Sequence, residues 1–285
     1  MQHLPLIVVL TMTLIAPSPS RGANVPLIFV SIPPQKNFVE QVAGPLVRVE
    51  VLLPPGASPA TYEPTPRQMA SLKHAGLYLS IGVPFERRLL LKVAELIPEL
   101  QIIDCRRGAK LAPMEGHRNG KGNGASLDPH IWLDPMQVKI IAGTIADGIG
   151  GLLPGAKSEL NRNLGAFQEA LDRVDAQVGE RLAAFSGREL VVFHPAYGYF
   201  TRRYGLRQLA VEVEGKAPSA RQLAELARVV RDSGQTTIFA QPQFSGAAAN
   251  TIAEALGLAV VELDPLAEKY LENLLTMSER ISAAL

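Results

Sequence analysis

The sequence predicts an α/β protein of two lobes, each containing a parallel sheet flanked by helices. Short apolar runs alternate with helical patterns through both halves of the chain, which is typical of βαβ units and parallel sheets. Between the halves, residues 156–185 carry apolar side chains at spacings of three or four, which indicates one long helix able to bridge two lobes. A chain of 285 residues is long enough for two domains.

The first half of the chain contains four predicted strands. The first is the apolar run from Val25 to Val30, and we expect Pro33 and Pro34 to end it before a helix begins at Gln35. The other strands are predicted at residues 47–53, 77–81 and 101–103, and the helices at 35–43, 65–75, 85–97 and 135–153.

The second half repeats the alternation, with Ser219 as the expected N-cap of one helix. Strands are predicted at residues 189–193, 206–213, 237–240 and 259–263, and helices at 196–204, 219–233, 247–256 and 270–285. We therefore expect four parts: a signal peptide at 1–23, an N-terminal lobe at 24–154, a linking helix at 155–185 and a C-terminal lobe at 186–285.

Residues 4–16 form an apolar stretch that small residues follow, as in a secretory signal peptide, and that is too short to span a bilayer comfortably. Cys105 is the only cysteine, so neither an internal disulfide nor a thiolate zinc cluster can form. It also lies too far from the signal to be a lipidated N-terminus. We expect an exported, soluble protein of the periplasm without a lipobox cysteine.

The composition excludes some classes of function. Hydrophobic residues make up 47% of the chain and charged residues 19%, which indicates a well-cored globular protein. Lysine and arginine number 28 against 27 acidic residues, so no overall positive field favours binding to nucleic acid.

Three side chains are candidates for metal ligands. His130 lies in the run Asp128 to Pro135, His194 follows a predicted strand, and Asp264 follows another. Residues beyond the carboxyl ends of parallel strands line the ligand crevice, and two facing lobes bring such residues to one cleft. Two imidazoles and a carboxylate suit Zn²⁺, and Mn²⁺ or Fe²⁺ are acceptable.

From about Val25 to Leu285 the chain resembles the zinc- and manganese-binding family of ABC-transporter periplasmic solute-binding proteins. The similarity rests on six motifs in a fixed order, namely LPPGASP (53–59) with YEPTP (62–66), DPHIWLDP (128–135), FHPAY (193–197) with Tyr199-Phe200, EGKAPSA (214–220), PQFS (242–245) and LDPL (263–266).

This resemblance implies two α/β lobes joined by a long rigid helix, with one metal ion buried between them. It also implies that the protein is not an enzyme but a monomeric carrier that delivers its metal to a membrane permease of an ABC importer. The implied ligands are His130, His194 and Asp264. A histidine at position 194 tends to accompany zinc in this family, whereas a glutamate accompanies manganese, so zinc is the expected metal.

One position departs from the family pattern. The residue that normally supplies the first metal-binding histidine is Ala60 in this chain, and alanine cannot coordinate a metal. Water, Glu63, His117 of the glycine-rich loop at 116–124, and Gln241 are the candidates for a fourth ligand, and Gln241 could instead orient a ligand.

Two alternative functions follow from this departure. Three protein ligands plus water is also the arrangement of catalytic zinc, although the sequence has no His-Glu-x-x-His helix that would indicate a metallohydrolase. The other alternative is a protein of the same fold that binds a non-metal solute or acts as an adhesin or accessory subunit.

Metal binding by histidines would depend on pH. An imidazole that binds a metal must be neutral, so the affinity for the metal should fall below about pH 6.5, the ordinary pKa of histidine.

Overall fold

The computed structural model describes residues 25–114, 127–212 and 219–285. The predicted signal peptide and His117 lie outside these described residues. The described strands form two four-stranded sheets, one in each half of the chain, and every strand pairing is parallel. This arrangement confirms the predicted fold class.

The first sheet has the strand order β2-β1-β3-β4. Its strands are β1 (Leu27–Val30), β2 (Arg48–Val51), β3 (Leu77–Ser80) and β4 (Gln101–Asp104), and the helices between them are α1 (Pro33–Ala43), α2 (Pro66–Leu72) and α3 (Glu86–Leu96). The central strands β1 and β3 are buried at every residue, as expected for a parallel sheet covered on both faces.

The second sheet repeats this topology with the order β6-β5-β7-β8. Its strands are β5 (Glu189–Val192), β6 (Arg207–Ala210), β7 (Thr237–Ala240) and β8 (Ala259–Glu262), and the helices that accompany them are α6 (Gly198–Arg203), α7 (Ala220–Ser233) and α8 (Gly246–Leu256). Ser219 caps α7 as predicted, because its side chain accepts a hydrogen bond from the backbone N–H of Gln222.

There are three further helices: α4 (Pro135–Leu152), α5 (Lys157–Leu182), which lies between the two halves in the chain, and α9 (Tyr270–Ala284). Helix α5 has 26 residues and is therefore about 39 Å long. It packs against α1, α4 and α9, and one apolar core runs through both halves of the chain. None of the described helices is both long and apolar enough to cross a membrane.

Several predicted elements are shorter in the structure, such as the strand predicted at 206–213, which spans Arg207–Ala210, and the helix predicted at 65–75, which spans Pro66–Leu72. Two boundaries differ for a clear physical reason. Helix α1 begins at Pro33, not at Gln35, because proline is tolerated in the first turn, where its missing N–H has no helical partner. The long helix is also shorter than residues 156–185, since Pro154–Ala156 and Ala183–Phe185 form 3₁₀ turns at its two ends.

Two hydrogen bonds between buried residues join the halves close to the predicted ligands. The indole Nε1 of Trp132 donates to the carbonyl of Pro265 at 2.7 Å, and the hydroxyl of Tyr270 donates to the carbonyl of Trp132 at 2.6 Å. The Tyr270 ring also meets Phe38 of α1 edge-on, with 4.8 Å between ring centroids. We call Trp132, Pro265 and Tyr270 the interlobe seam.

The seam predicts that Tyr270→Phe lowers the free energy of unfolding by about 1–3 kcal/mol, because the ring is kept while the buried carbonyl of Trp132 loses its donor. Tyr62→Phe is the matched control. Its hydroxyl donates to Gln68 in a part-buried site where water can replace it, so the change should be smaller. Urea denaturation of both variants measures the difference, and equal losses would contradict the role given to the seam.

Candidate metal centre

His130 lies in the segment between β4 and α4, beside Pro129 and immediately before a 3₁₀ turn at Ile131–Leu133. Its Nδ1 donates to Oδ1 of Asp128 at 2.8 Å, and its backbone N–H donates to the same oxygen at 3.0 Å. The carboxylate of Asp128 is fully buried, and the Arg202 guanidinium lies 3.6 Å from its Oδ2. Asp128 therefore fixes both the backbone and the ring of His130.

His194 follows the end of β5, as the sequence predicts. Its Nδ1 donates to Oε2 of Glu212 at 2.9 Å, and its ring stacks on Phe244 with 4.7 Å between centroids. The side-chain amide of Gln241 also holds the His194 backbone: Oε1 accepts from the N–H at 3.3 Å, and Nε2 donates to the carbonyl at 2.9 Å. Three side chains thus position His194.

The two imidazoles come together in one cavity. Their ring centroids are 5.4 Å apart, and both rings line a space of about 80 Å³. Since each Nδ1 is bonded to a carboxylate, Nε2 is the nitrogen of each ring that remains for a ligand. A carboxylate on Nδ1 is the usual outer partner of a metal-binding histidine, because it fixes the tautomer and the ring orientation.

Burial lowers the pKa of His194 below the ordinary value for an imidazole, and the nearby His130 acts in the same direction. The carboxylate of Glu212 opposes this effect but does not reverse it. The lowered pKa keeps the His194 imidazole neutral over a wider pH range, and the neutral form is the one that metal ions bind.

Asp264 lies just beyond β8, and its backbone neighbours Pro265 and Leu266 line the same cavity. Its Oδ1 accepts from the Gln243 side chain at 2.7 Å and from the Leu266 N–H at 2.9 Å. The carboxylate itself does not belong to the cavity lining. Among the described residues, no group of three or more His, Cys, Asp or Glu side chains is assembled in a way that could hold a metal ion.

The structure separates the candidates for a fourth ligand. Ala60, which replaces the first histidine of the family pattern, lines the cavity of His130 and His194. Glu63 is exposed, lines the neighbouring cavity and forms an ion pair with Arg88 at 3.1 Å. Gln241 lines the cavity of the histidines, but both of its amide atoms are bonded to the His194 backbone. His117 lies outside the described residues.

Sequence reasoning missed the two carboxylates that hold the rings. Asp128 stands two residues before His130, a spacing that could have suggested the contact. Glu212 is 18 residues from His194 and contacts it only because β6 pairs with β5. No local sequence pattern therefore predicts this contact.

Two parallel-sheet lobes packed on one long helix are the fold of a class of two-lobe solute-binding proteins. Within that class, the chain belongs to the family described as zinc-uptake complex component A, periplasmic, whose sequence profile matches residues 28–284. The resemblance inferred from the motifs is therefore confirmed. The family consists of solute-binding proteins. The match to it therefore favours neither of the alternative functions, a metallohydrolase or a non-metal carrier or adhesin.

Several relatives and solved structures are similar over most of the chain. The crystal structure of a ZnuA has 39% identity and a TM-score of 0.86, covering 92% of this chain and 99% of that one. A zinc-bound ZnuA deletion mutant has 38% identity and a TM-score of 0.85, with coverage of 92% and 98%. The high-affinity zinc uptake system protein ZnuA of Yersinia pestis is 29% identical over 268 residues, covering 84% of this chain and 82% of that protein.

The zinc-binding lipoprotein AdcA of Streptococcus pneumoniae is 27% identical over 243 residues. The match covers 82% of this chain but 48% of AdcA, so the chain spans about half the length of that relative.

The contact between Gly198 and Asp128 gives a prediction for the support of His130. A Cβ at position 198 would lie 2.6 Å from Oδ2 of Asp128, so Gly198→Ala must displace this buried carboxylate. We expect the free energy of unfolding to fall by about 1–3 kcal/mol, as for overpacking elsewhere. Gly179→Ala, in α5 with no neighbour within 4 Å, should instead be neutral or stabilising. Thermal and urea denaturation compare them, and a neutral Gly198→Ala would contradict the close approach.

Proposed function

We propose that this chain captures a divalent metal ion between its lobes and delivers it to the membrane permease of an ABC importer. His130, His194 and Asp264 are the proposed protein ligands. The observation that carries the proposal is the pair of imidazoles in one cavity, each held through Nδ1 by a buried carboxylate. Such pairs orient the ring and raise the basicity of the nitrogen that faces the metal.

Zinc is the proposed metal, ahead of manganese or iron. Two imidazole nitrogens and a carboxylate oxygen are common zinc ligands, and zinc holds them in a small tetrahedral site. The relative from Yersinia pestis is named for high-affinity zinc uptake, and a similar solved structure contains zinc. Oδ2 of Asp264 is the proposed metal-binding oxygen, because Oδ1 already accepts two hydrogen bonds.

The protein is proposed to act as a monomeric periplasmic carrier without enzymatic activity and without nucleic-acid binding. Its proposed lobes are residues 24–154 and 186–285, joined by the helical segment 155–185 and preceded by a signal peptide at 1–23. Water or His117 remains a candidate for a further ligand.

Titration calorimetry of the metal-free mature protein tests the metal-binding proposal. Zinc should bind one to one, and His130→Ala or His194→Ala should abolish tight binding, because each removes a ligand. Asp128→Asn and Glu212→Gln should weaken binding by about 10–100-fold, since they remove only the support of a ring. His74→Ala is the matched control, because this histidine is exposed in the turn after α2. Unchanged affinity in both ligand variants would refute the proposed site.

The same titration distinguishes the metals and tests His117. Zinc should bind more tightly than Mn²⁺ to the unmodified protein. A His117→Ala variant that loses affinity would assign the His117 imidazole to the metal, whereas unchanged affinity would exclude this ligand.

Metal release is proposed to require only small shifts of the lobes, because α5 and the interlobe seam hold them together. Metal-free and zinc-loaded crystals should then superimpose with a Cα deviation below about 1 Å, as for preorganised binding proteins. A wide hinge opening of the metal-free protein would contradict this.

A further inference from the structure

Apart from the two imidazoles, whose Nε2 atoms remain for a ligand, most polar side chains that line the histidine cavity already have hydrogen-bond partners. The polar side chains of its lining are Ser58, His130, Trp132, His194, Gln241 and Gln243. Trp132 donates to Pro265, Gln241 holds the His194 backbone through both amide atoms, and the Ser58 hydroxyl accepts from the Ala60 N–H at 3.3 Å. Gln243 differs from these residues.

The orientation of the Gln243 amide is determined by chemistry. Its Nε2 lies 2.7 Å from Oδ1 of Asp264, and because a carboxylate only accepts hydrogen bonds, the amide nitrogen must face it. The amide oxygen Oε1 is consequently turned to the other side. It is buried and has no hydrogen-bond partner among the described residues.

A buried carbonyl oxygen without a hydrogen-bond partner is unfavourable, and a bound cation would supply the missing partner. Gln243 lies in the loop between β7 and α8 and lines the cavity of the two histidines. The same loop supplies Gln241, which positions His194, and Phe244, which stacks on its ring. One short segment therefore connects the unpaired oxygen to one of the two imidazoles.

We infer that Oε1 of Gln243 binds the captured metal ion directly and completes the site together with His130, His194 and Asp264. The inference rests on the proposed metal-binding function. It gives two nitrogen and two oxygen donors, so Gln243 provides the fourth protein ligand that Ala60 cannot supply. Asp264 then has two roles: Oδ1 orients the Gln243 amide, and Oδ2 binds the metal.

A carboxamide oxygen in place of an imidazole also changes the preference for metals. Oxygen donors suit harder cations such as Mn²⁺ better than imidazole donors do. Loss of the Gln243 oxygen should therefore weaken Mn²⁺ binding by a larger factor than Zn²⁺ binding.

Two substitutions separate a ligand from a residue that merely positions Asp264. Gln243→Leu removes both the oxygen and the N–H donor, whereas Gln243→Glu keeps an oxygen and loses the donor to Asp264. A metal ligand at position 243 predicts a loss of more than about 100-fold for the leucine variant, beyond that of an outer partner, and retained zinc binding for the glutamate variant. A positioning role predicts similar losses in both variants.

The measurements are zinc and manganese titrations together with the visible spectrum of the Co²⁺-substituted protein, which reports the number and type of donors. The same pair of substitutions at Gln241 is the control: both should weaken binding by no more than about 100-fold, without a change of Co²⁺ coordination, because Gln241 acts through the His194 backbone.

Tight zinc binding with an unchanged Co²⁺ spectrum in Gln243→Leu would overturn this inference and leave the proposed function standing. Similar losses in Gln243→Leu and Gln243→Glu would also overturn it. If the unmodified protein bound neither zinc nor manganese, both proposals would fail.

Discussion

The interlobe seam is the constraint on which the geometry of the site depends. His130 stands two residues before Trp132, and Asp264 stands one residue before Pro265, so the 2.7 Å hydrogen bond from Trp132 to Pro265 sets the separation of these two predicted ligands. Tyr270 closes the seam from α9 and packs on Phe38 of α1. The contacts that hold the lobes together are thus also the contacts that determine where the candidate ligands stand.

Protein contacts also fix much of the polar chemistry around the cavity. The rings of His130 and His194 are each held by a carboxylate, and further contacts to the backbone or ring restrict them. A side chain that is already ordered loses little conformational freedom on binding, so more of the metal–ligand energy appears as affinity. Such a site is stable only if the buried polar groups find their hydrogen-bond partners in the correct positions, because an unpaired buried polar group is unfavourable.

Much of the fold could be predicted from the sequence because its signals are local. Apolar runs and helical spacing predicted all eight described strands, and a resemblance of motifs selected His130, His194 and Asp264. Those signals could not identify Glu212 or the free oxygen of Gln243, because both contacts arise when segments distant in sequence meet across a sheet or between loops. The start of helix α1 could not be predicted because a proline such as Pro33 occurs both after the end of a strand and in the first turn of a helix.

The division of the histidine–carboxylate pairs between the lobes has a consequence for stability. Asp128 and His130 belong to the first half, Glu212 and His194 to the second, so each half carries one ring with its own support. A metal bound by both rings is therefore a noncovalent cross-link between the halves. By mass action, such a bound metal would stabilise the folded protein by about 2.7 kcal/mol at a free metal concentration of 100 times the dissociation constant. Resistance to heat or proteolysis would thus distinguish metal-bound from metal-free protein even if the two backbones were superimposable.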